Sequence, residues 1–303
     1  MPTMRDRFVH VSSQLLDERA DIAVVLAEIS LSNFKESGAV QRHPRRVVNV
    51  GIREQLLIGF AAGLAMEGIR PIVHTYSPFL IERPFEQVKL DFGHQDLGGV
   101  FVSAGGAFDA APSGRTHQAP EDVVLISAIP GWRVHIPGHP DEVEATLGSA
   151  VAGTGRDYIR TSTVVNSRAF VRPGGFSVLR CGSDTAVTVI AVGPSLDPTL
   201  DATADLDATV QYASTVRPFD AETLRTVLAG PEIVLVEPCL VGTSAAEVSA
   251  ALIDVPHRLL ALGVPCTEHR HYGTEAEHRA GHGLDASGIR GSIAEFLAMS
   301  GPG

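Results

Sequence analysis

The sequence has 303 residues, of which 44% are hydrophobic and 19% are charged, so it can form two domains with proper cores. Its formal net charge is −11 and it has no block of basic residues, which argues against surfaces that bind nucleic acid or anionic membranes. No secretory signal is recognisable, and the longest apolar run, residues 56–66, is too short to span a bilayer. The three cysteines are scattered, and we expect a cytoplasmic protein with reduced cysteines.

Short β-branched runs alternate with helix-length segments through the first half of the sequence. Predicted strands cover residues 22–29, 46–50, 71–76, 100–103, 133–136 and 158–161, and predicted helices cover residues 54–66, 79–92, 121–128 and 141–152. This alternation is typical of a largely parallel sheet with helices on both faces. We therefore expect a three-layer α/β domain whose ligands bind beyond the carboxyl ends of the strands.

A loop near residues 170–184 contains Pro173 and several glycines, and the alternation resumes after it. Predicted strands then cover residues 186–192, 209–213, 233–237 and 265–269, and predicted helices cover residues 221–228, 244–252 and 287–298. The loop predicts two α/β domains, residues 1–177 and residues 178–303.

The strongest local signal is in residues 47–55, where a strand leads into Gly51 and Glu54 follows in the first turn of a helix. The helix, residues 54–66, is apolar on every face, which predicts that it is buried. Gly59 and Gly63 lie four residues apart, so a neighbouring backbone could approach that face closely. By itself, Glu54 is also explained as an acidic residue that the helix dipole favours.

Further stretches follow in a fixed order: residues 75–80, 82–88, 114–122 and 129–137. In their order and spacing, from about residue 20 to about residue 165, these stretches resemble the pyrimidine-binding domain of the transketolase superfamily. Residues 178–303 resemble, less closely, the C-terminal domain that follows it. Members of the superfamily include transketolase, deoxyxylulose phosphate synthase and the β subunits of 2-oxoacid dehydrogenases.

The resemblance implies thiamine diphosphate and Mg²⁺ as cofactors. Glu54 matches the glutamate that binds a ring nitrogen of the cofactor's aminopyrimidine. A buried carboxyl without a neighbouring cation has a raised proton affinity, so Glu54 would stabilise the tautomer that activates the cofactor.

Three other residues match the same site. Tyr76 and Phe79 match the aromatic positions around the pyrimidine, although core packing is the commoner use of such side chains. His117 matches a histidine that faces the substrate and moves protons, with an ordinary role at the start of a helix as the alternative. Ser32 resembles a serine that helps to hold a phosphorylated sugar.

Substrate-side positions depart from the transketolase pattern. Ser113 stands where transketolases commonly have an aspartate, and a family histidine falls near Gly105. The arginine that commonly grips the acceptor phosphate falls near Thr163, with Arg160 close by. We therefore expect substrates other than ordinary sugar phosphates, or replacement contacts from Arg115 and a partner.

The half of the family that holds the diphosphate through Mg²⁺ carries a Gly-Asp-Gly stretch, and this sequence contains none. We expect that a partner, an N-terminal transketolase-type subunit, supplies the metal and diphosphate site in an α2β2 assembly. This chain would then be the C-terminal subunit of a split transketolase-like transferase that moves a two-carbon ketol or acyl unit. The alternatives are the β subunit of a 2-oxoacid dehydrogenase and a non-catalytic scaffold subunit.

Two features are interpreted as structural. Arg83 is expected to form an ion pair. The histidines at positions 269, 271, 278 and 282 suit a solvent-facing loop or a subunit contact better than a metal site, because arginines adjoin them and no acidic cluster completes a ligand set.

Overall fold

A computed structural model of the chain describes residues 2–172 and 174–299, so Pro173 of the predicted loop lies outside the described residues. Two largely parallel sheets flanked by helices confirm the expected α/β class. The strands are β1 (Ile22–Leu26), β2 (Val47–Asn49), β3 (Arg70–Tyr76), β4 (Gly99–Ala104), β5 (Trp132–His135), β6 (Arg156–Arg160), β7 (Ser177–Arg180), β8 (Val187–Val192), β9 (Ala208–Ala213), β10 (Thr215–Arg217), β11 (Glu232–Leu240) and β12 (Arg258–Val264).

The α-helices are α1 (Met4–Glu18), α2 (Leu31–Glu36), α3 (Ala39–Arg42), α4 (Glu54–Met66), α5 (Phe85–Gln87), α6 (Asp122–Ser127), α7 (Pro140–Ala152), α8 (Leu196–Ala202), α9 (Ala221–Thr226), α10 (Ala245–Ala251), α11 (Glu275–Gly281) and α12 (Ala286–Ala298). Two π-helical segments (Pro78–Glu82 and Val88–His94) and two 3-10 helices (Ala111–His117 and Gly193–Ser195) complete the elements.

The first sheet has the strand order β10-β5-β6-β4-β3-β1-β2, and every pair in it is parallel except β10 with β5. The chain passes from β1 outward to β2 and then returns to the other side of β1 as β3. A crevice therefore forms outside the carboxyl ends of these strands, where the order reverses. β1 and β4 are buried along their whole length, so they leave little room for polar side chains within the sheet. Polar side chains can gather instead in the loops that follow the carboxyl ends of the strands.

The second sheet has the order β12-β11-β8-β9-β7, with β7 antiparallel to β9. It starts with β7 at Ser177, but β10 crosses back and pairs with β5 of the first sheet. Glu142 of α7 adds a buried link: its carboxylate accepts hydrogen bonds from the Gly138 and Phe170 amides and from the Tyr212 hydroxyl of β9. The two sheets are therefore joined by a shared strand edge and by this carboxylate.

Two local predictions were wrong, and the first helix was not predicted. Residues 265–269 do not form a strand, because the last strand of the second sheet, β12, ends before Pro265, which has no N–H to donate to a ladder. The predicted helix at residues 79–92 is instead two π-helical segments around the short α5, and Pro84 interrupts the hydrogen-bonding pattern between them. Helix α1, which a Thr3–Asp6 capping box starts, was not predicted.

Helix α4 has the predicted bounds, but it is not buried on every face. Leu57, Ile58 and Ala61 lie in the core, whereas Leu56 is 47% exposed and Phe60 is 38% exposed. Gly59 and Gly63 belong to the same open side, and a Cβ added to Gly63 would meet nothing within 4 Å. An apolar face is thus left uncovered directly after Glu54.

Replacing Glu142 by alanine would leave the Phe170 amide and the Tyr212 phenol without their carboxylate acceptor, whereas the Gly138 amide keeps the Tyr212 hydroxyl as a second acceptor at 3.0 Å. We expect the Glu142→Ala variant to lose about 3 kcal/mol of the free energy of unfolding, measured by urea denaturation. Glu144→Ala, two residues further along α7 and half exposed, is the control and should change it by less than about 0.5 kcal/mol. Equal losses in the two variants would show that the buried carboxylate does not join the two sheets.

Candidate functional site

The predicted catalytic and cofactor-binding residues lie beyond the carboxyl ends of adjacent strands. Glu54 follows β2, Tyr76 ends β3 with Phe79 just after it, and His117 lies in the connection that follows β4. Parallel strands bring their carboxyl ends to one edge, so residues far apart in the sequence meet there.

Glu54 is the first residue of α4 and is only 2% exposed. The turn before it needs Gly51, whose φ of +73° is a conformation that other residues rarely adopt. Arg83 donates a hydrogen bond from Nη1 to Oε2 of Glu54 at 2.7 Å. The expected ion pair of Arg83 is therefore confirmed, and its partner is the candidate catalytic carboxylate.

This contact corrects the premise that Glu54 is a buried carboxyl without a cation. A neighbouring guanidinium favours the ionised form of a carboxyl, whereas burial favours the neutral form. The Arg83 side chain is 39% exposed, so it can turn into solvent without losing a buried position. A carboxylate can accept hydrogen bonds from several donors, and the hydrogen bond from Arg83 uses only Oε2 of Glu54.

Tyr76, Phe79 and His117 form a triangle of rings in edge-to-face contact. The ring centroids are 6.0 Å apart for Tyr76–Phe79, 5.3 Å for Tyr76–His117 and 5.1 Å for Phe79–His117. The Arg83 guanidinium lies 4.0 Å from the Phe79 ring centroid, so the same arginine connects the triangle to Glu54. All three rings are partly exposed, so they can still pack against a bound planar group.

The hydrogen bonds around His117 define which ring nitrogen can take a proton. The Thr116 hydroxyl lies 3.2 Å from the Ser113 carbonyl and 3.0 Å from Nδ1 of His117. When this hydroxyl donates to the carbonyl, Nδ1 carries the ring hydrogen and donates to Thr116. Nε2 then presents a lone pair, as a group that accepts a proton requires.

Arg115 is held within the loop that carries His117. It donates to the Gln118 carbonyl at 2.8 Å and pairs with Glu121 at 2.6 Å. Glu82, on the π-helical segment between Phe79 and Arg83, adjoins the same group, and burial and the charge of Glu121 raise the pKa of Glu82 to about 7. Arg115 thus uses two of its nitrogens for contacts within this loop.

Arg160 is the predicted substrate residue that the structure removes from the site. It is buried, its Nε donates to Asp122 at 2.8 Å, and its Nη1 donates to the Pro238 carbonyl at 2.7 Å. The Arg160 guanidinium is thus engaged in hydrogen bonds within the interior of the protein. Ser113 and Ser32, in contrast, are exposed, the first on the 3-10 helix that carries His117 and the second on α2 after β1.

Sequence reasoning missed two features of this edge. Asp122 was not singled out in the sequence, and only its buried contacts distinguish it. Of the four histidines expected in a solvent-facing loop or a subunit contact, His271 is exposed, whereas His278 is buried, stacks on Phe108 and lies 3.4 Å from the Gln118 side-chain amide. Within the described residues, no group of three histidine, cysteine or acidic side chains is placed to hold a metal ion.

Comparison with known families identifies the first domain. The family model described as "Transketolase, pyrimidine binding domain" matches residues 1–164, more than half of the chain. The chain belongs to the transketolase pyrimidine-binding domain family.

Relatives of this transketolase-family chain include two kinds of curated protein. An uncharacterized 33.6 kDa protein of the fasciation locus of Rhodococcoides fascians is 48% identical over 286 residues, covering 93% of this chain and 90% of that protein. The 1-deoxy-D-xylulose-5-phosphate synthase of Albidiferax ferrireducens is 32% identical over 99% of this chain. The match covers 49% of that synthase, so the chain spans about half of the synthase's length.

Solved structures agree with the assignment to the transketolase family. A split-gene transketolase described as an inactive β4 tetramer matches with a TM-score of 0.85 and 25% identity, over 98% of this chain and 99% of that one. Transketolase from Leishmania mexicana has the same fold, with a TM-score of 0.82 and 16% identity over 47% of its own length. None of the helices in residues 2–172 and 174–299 combines the length and hydropathy that a bilayer crossing requires.

The raised pKa of Glu82 gives the transketolase-family fold a testable pH dependence. The folded chain keeps the Glu82 proton up to about pH 7, whereas the unfolded chain releases it near the ordinary value of 4.5, so this contribution to stability is complete at low pH and is lost as the pH rises through about 7. We expect Glu82→Gln, which cannot ionise, to lose less stability than the wild type between about pH 5 and pH 8 in urea titrations.

Glu237, whose pKa burial also raises to about 7, titrates in the same window in both proteins, so only the difference between variant and wild type measures Glu82. Glu86→Gln, at an exposed position of the neighbouring α5, is the matched control and should follow the wild type. Parallel pH profiles for wild type and Glu82→Gln would show that Glu82 ionises as it does in water.

Proposed function

We propose that this chain is the C-terminal, β-type subunit of a split transketolase-like enzyme that transfers a two-carbon ketol or acyl unit with thiamine diphosphate and Mg²⁺. One observation carries the proposal: a buried carboxylate at a helix N-terminus is connected through Arg83 to a cluster of three partly exposed rings, one of them an imidazole. The relatives support it, since they include a split-gene transketolase and a synthase of which this chain matches one half. A cytoplasmic location remains a prediction from the sequence.

The residues present fit an aminopyrimidine ring. Tyr76 and Phe79 offer aromatic edges for packing, and Glu54 offers a carboxyl oxygen for a ring nitrogen. When bound, the cofactor would supply a nucleophilic carbon and an electron sink. Glu54 would hold the proton shared with the ring nitrogen, and Arg83 would turn into solvent so that the carboxyl can keep this proton.

His117 is proposed to move the substrate's protons. Its Nδ1 lies 3.0 Å from the Thr116 hydroxyl, and its ring packs edge-to-face against Tyr76 and Phe79, so these contacts hold the orientation of the imidazole. A general base needs a fixed direction toward the proton it takes.

The diphosphate and Mg²⁺ are proposed to be held by an N-terminal transketolase-type subunit in an α2β2 assembly. The chain contains no Gly-Asp-Gly stretch that would carry this metal site. The open apolar face of α4, with Leu56 and Phe60, begins at Glu54 and offers that partner a surface next to the reacting groups. Closing the site in this way would exclude water from it.

The surroundings of Thr163 support substrates that lack a phosphate group. The Thr163 amide and hydroxyl donate to the buried Asp109 carboxylate, and the Gly106 amide donates to the same group. An acidic side chain therefore takes the donors at both positions where the family resemblance places cationic or imidazole contacts. Arg160 and Arg115 are engaged in their own ion pairs.

The proposed function predicts how the cofactor binds in isothermal calorimetry. We expect thiamine diphosphate with Mg²⁺ to bind tightly to the complex of this chain with its Gly-Asp-Gly subunit, and weakly to this chain alone. Glu54→Gln in the complex should keep binding within about tenfold and lower turnover at least about 100-fold, because it retains size and loses the shared proton.

Exposed Glu67, at the other end of α4, gives the matched control Glu67→Gln, which should bind and turn over as the wild type does. Tight binding by the chain alone would overturn the split site. Unchanged turnover in Glu54→Gln would favour a scaffold role for the chain.

The proposed function also predicts the class of substrate. In the complex, xylulose 5-phosphate and unphosphorylated xylulose should give kcat/KM values within about tenfold of each other, because the charged anchor is missing. A strong phosphate preference would contradict this. Ferricyanide-coupled oxidation of a 2-oxoacid, without activity on any ketose, would point to a 2-oxoacid dehydrogenase subunit instead.

A further inference from the structure

A buried carboxylate, Asp122, is hydrogen-bonded to Ser77, a residue between Tyr76 and Phe79 in the sequence. Asp122 has no exposed surface, and its Oδ2 accepts hydrogen bonds from the Ser77 hydroxyl at 2.5 Å, the Tyr158 hydroxyl at 2.6 Å and Nε of Arg160 at 2.8 Å. Its Oδ1 accepts the amide hydrogen of Val123 at 2.7 Å. Charge-assisted bonds of this kind are short and hold their partners in a narrow range of positions.

The donors to Asp122 come from separate parts of the fold. Ser77 lies between Tyr76 and Phe79, while Tyr158 and Arg160 belong to β6. Asp122 itself begins α6, five residues after His117. Arg160 extends the network to the second sheet, because it also donates to the Pro238 carbonyl of β11.

The charges and protons of this network are fixed. Arg160 balances the Asp122 charge, so the carboxylate is not left unpaired in the interior. Burial and the Asp122 charge raise the pKa of Tyr158, so its phenol keeps its hydrogen and remains a donor. Short bonds to one Asp122 oxygen therefore join the end of β3 to the start of α6, and the Ser77 and Tyr158 hydroxyls also lie 3.0 Å from each other.

We propose that Asp122 is a positioning residue that sets the contact distances between His117 and the pair Tyr76 and Phe79. The Ser77 bond fixes the segment that carries the two aromatic rings, and the backbone from His117 to Asp122 fixes the imidazole. This inference rests on the proposed function only for its effect on catalysis; its effect on ring geometry is independent of any cofactor.

The experiment compares two phenol deletions in the full chain. Tyr158→Phe removes a hydroxyl that donates to Asp122, and Tyr212→Phe removes an equally buried hydroxyl that donates to Glu142 at 2.6 Å, between the sheets. Both should lower the stability by about the same amount. The readout is the His117 imidazole signal in NMR spectra of histidine-labelled protein, assigned by its loss in His117→Gln, because ring currents of Tyr76 and Phe79 set its position.

We expect the His117 signal to shift in Tyr158→Phe and to stay in place in Tyr212→Phe. Ser77→Ala, which removes another donor to the same oxygen, should shift it as well and keeps the test valid if Tyr158→Phe does not fold. An unshifted signal in Tyr158→Phe and Ser77→Ala, or an equal shift in Tyr212→Phe, would overturn the proposal.

In the assembled complex, Tyr158→Phe should lower kcat on the order of tenfold with KM for the ketose unchanged, while Tyr212→Phe keeps the wild-type kcat. If the wild-type complex has no activity on ketoses or 2-oxoacids, the proposed function fails, but the NMR comparison still decides the role of Asp122. If that complex is active and kcat is equal in both phenol variants, the positioning role fails alone.

Discussion

The buried ion pair of Asp122 and Arg160 is the constraint on which the arrangement of this edge depends. Two charges removed from water contribute little net stability, but the loss of one partner leaves the other unpaired in the interior. The pair must therefore stay closed, and the groups that bond to it stay with it: the residue after Tyr76, the start of α6 and the Pro238 carbonyl of the second sheet. One contact thus joins the aromatic rings, the histidine loop and the second sheet.

Glu54 and Arg83 combine two demands that oppose each other. The ion pair stabilises a carboxylate that would otherwise be buried without a partner, but proton sharing with a ring requires a carboxyl that can be neutral. The exposure of Arg83 makes both states accessible, because breaking the ion pair of a surface guanidinium costs little free energy when the guanidinium moves into water. The open apolar face of α4 beside this pair is consistent with a chain that completes its site against another subunit.

Much of the sheet could be predicted, because buried parallel strands such as β1 and β4 are largely apolar runs bounded by turns. Helix α4 was predicted with its bounds, but its exposed side was not, since an all-apolar helix looks buried whether a core or a partner covers it. The π-helical segments around α5 were missed, because a single extra residue per turn leaves no periodic signal over so short a length. The last strand was predicted at residues 265–269, although β12 ends at Val264.

The sequence by itself determined the α/β class and the alternation of strands and helices that carries most of the first sheet. It also singled out Glu54, Tyr76, Phe79 and His117, because local patterns and family-like spacing survive without knowledge of contacts. Only the tertiary structure decided that Arg83 pairs with Glu54, that Arg160 faces inward and that Asp109 takes the donors of Thr163. Each of these is a contact between residues at least 29 positions apart, and a charged side chain carries no mark of its partner until the fold brings the two together.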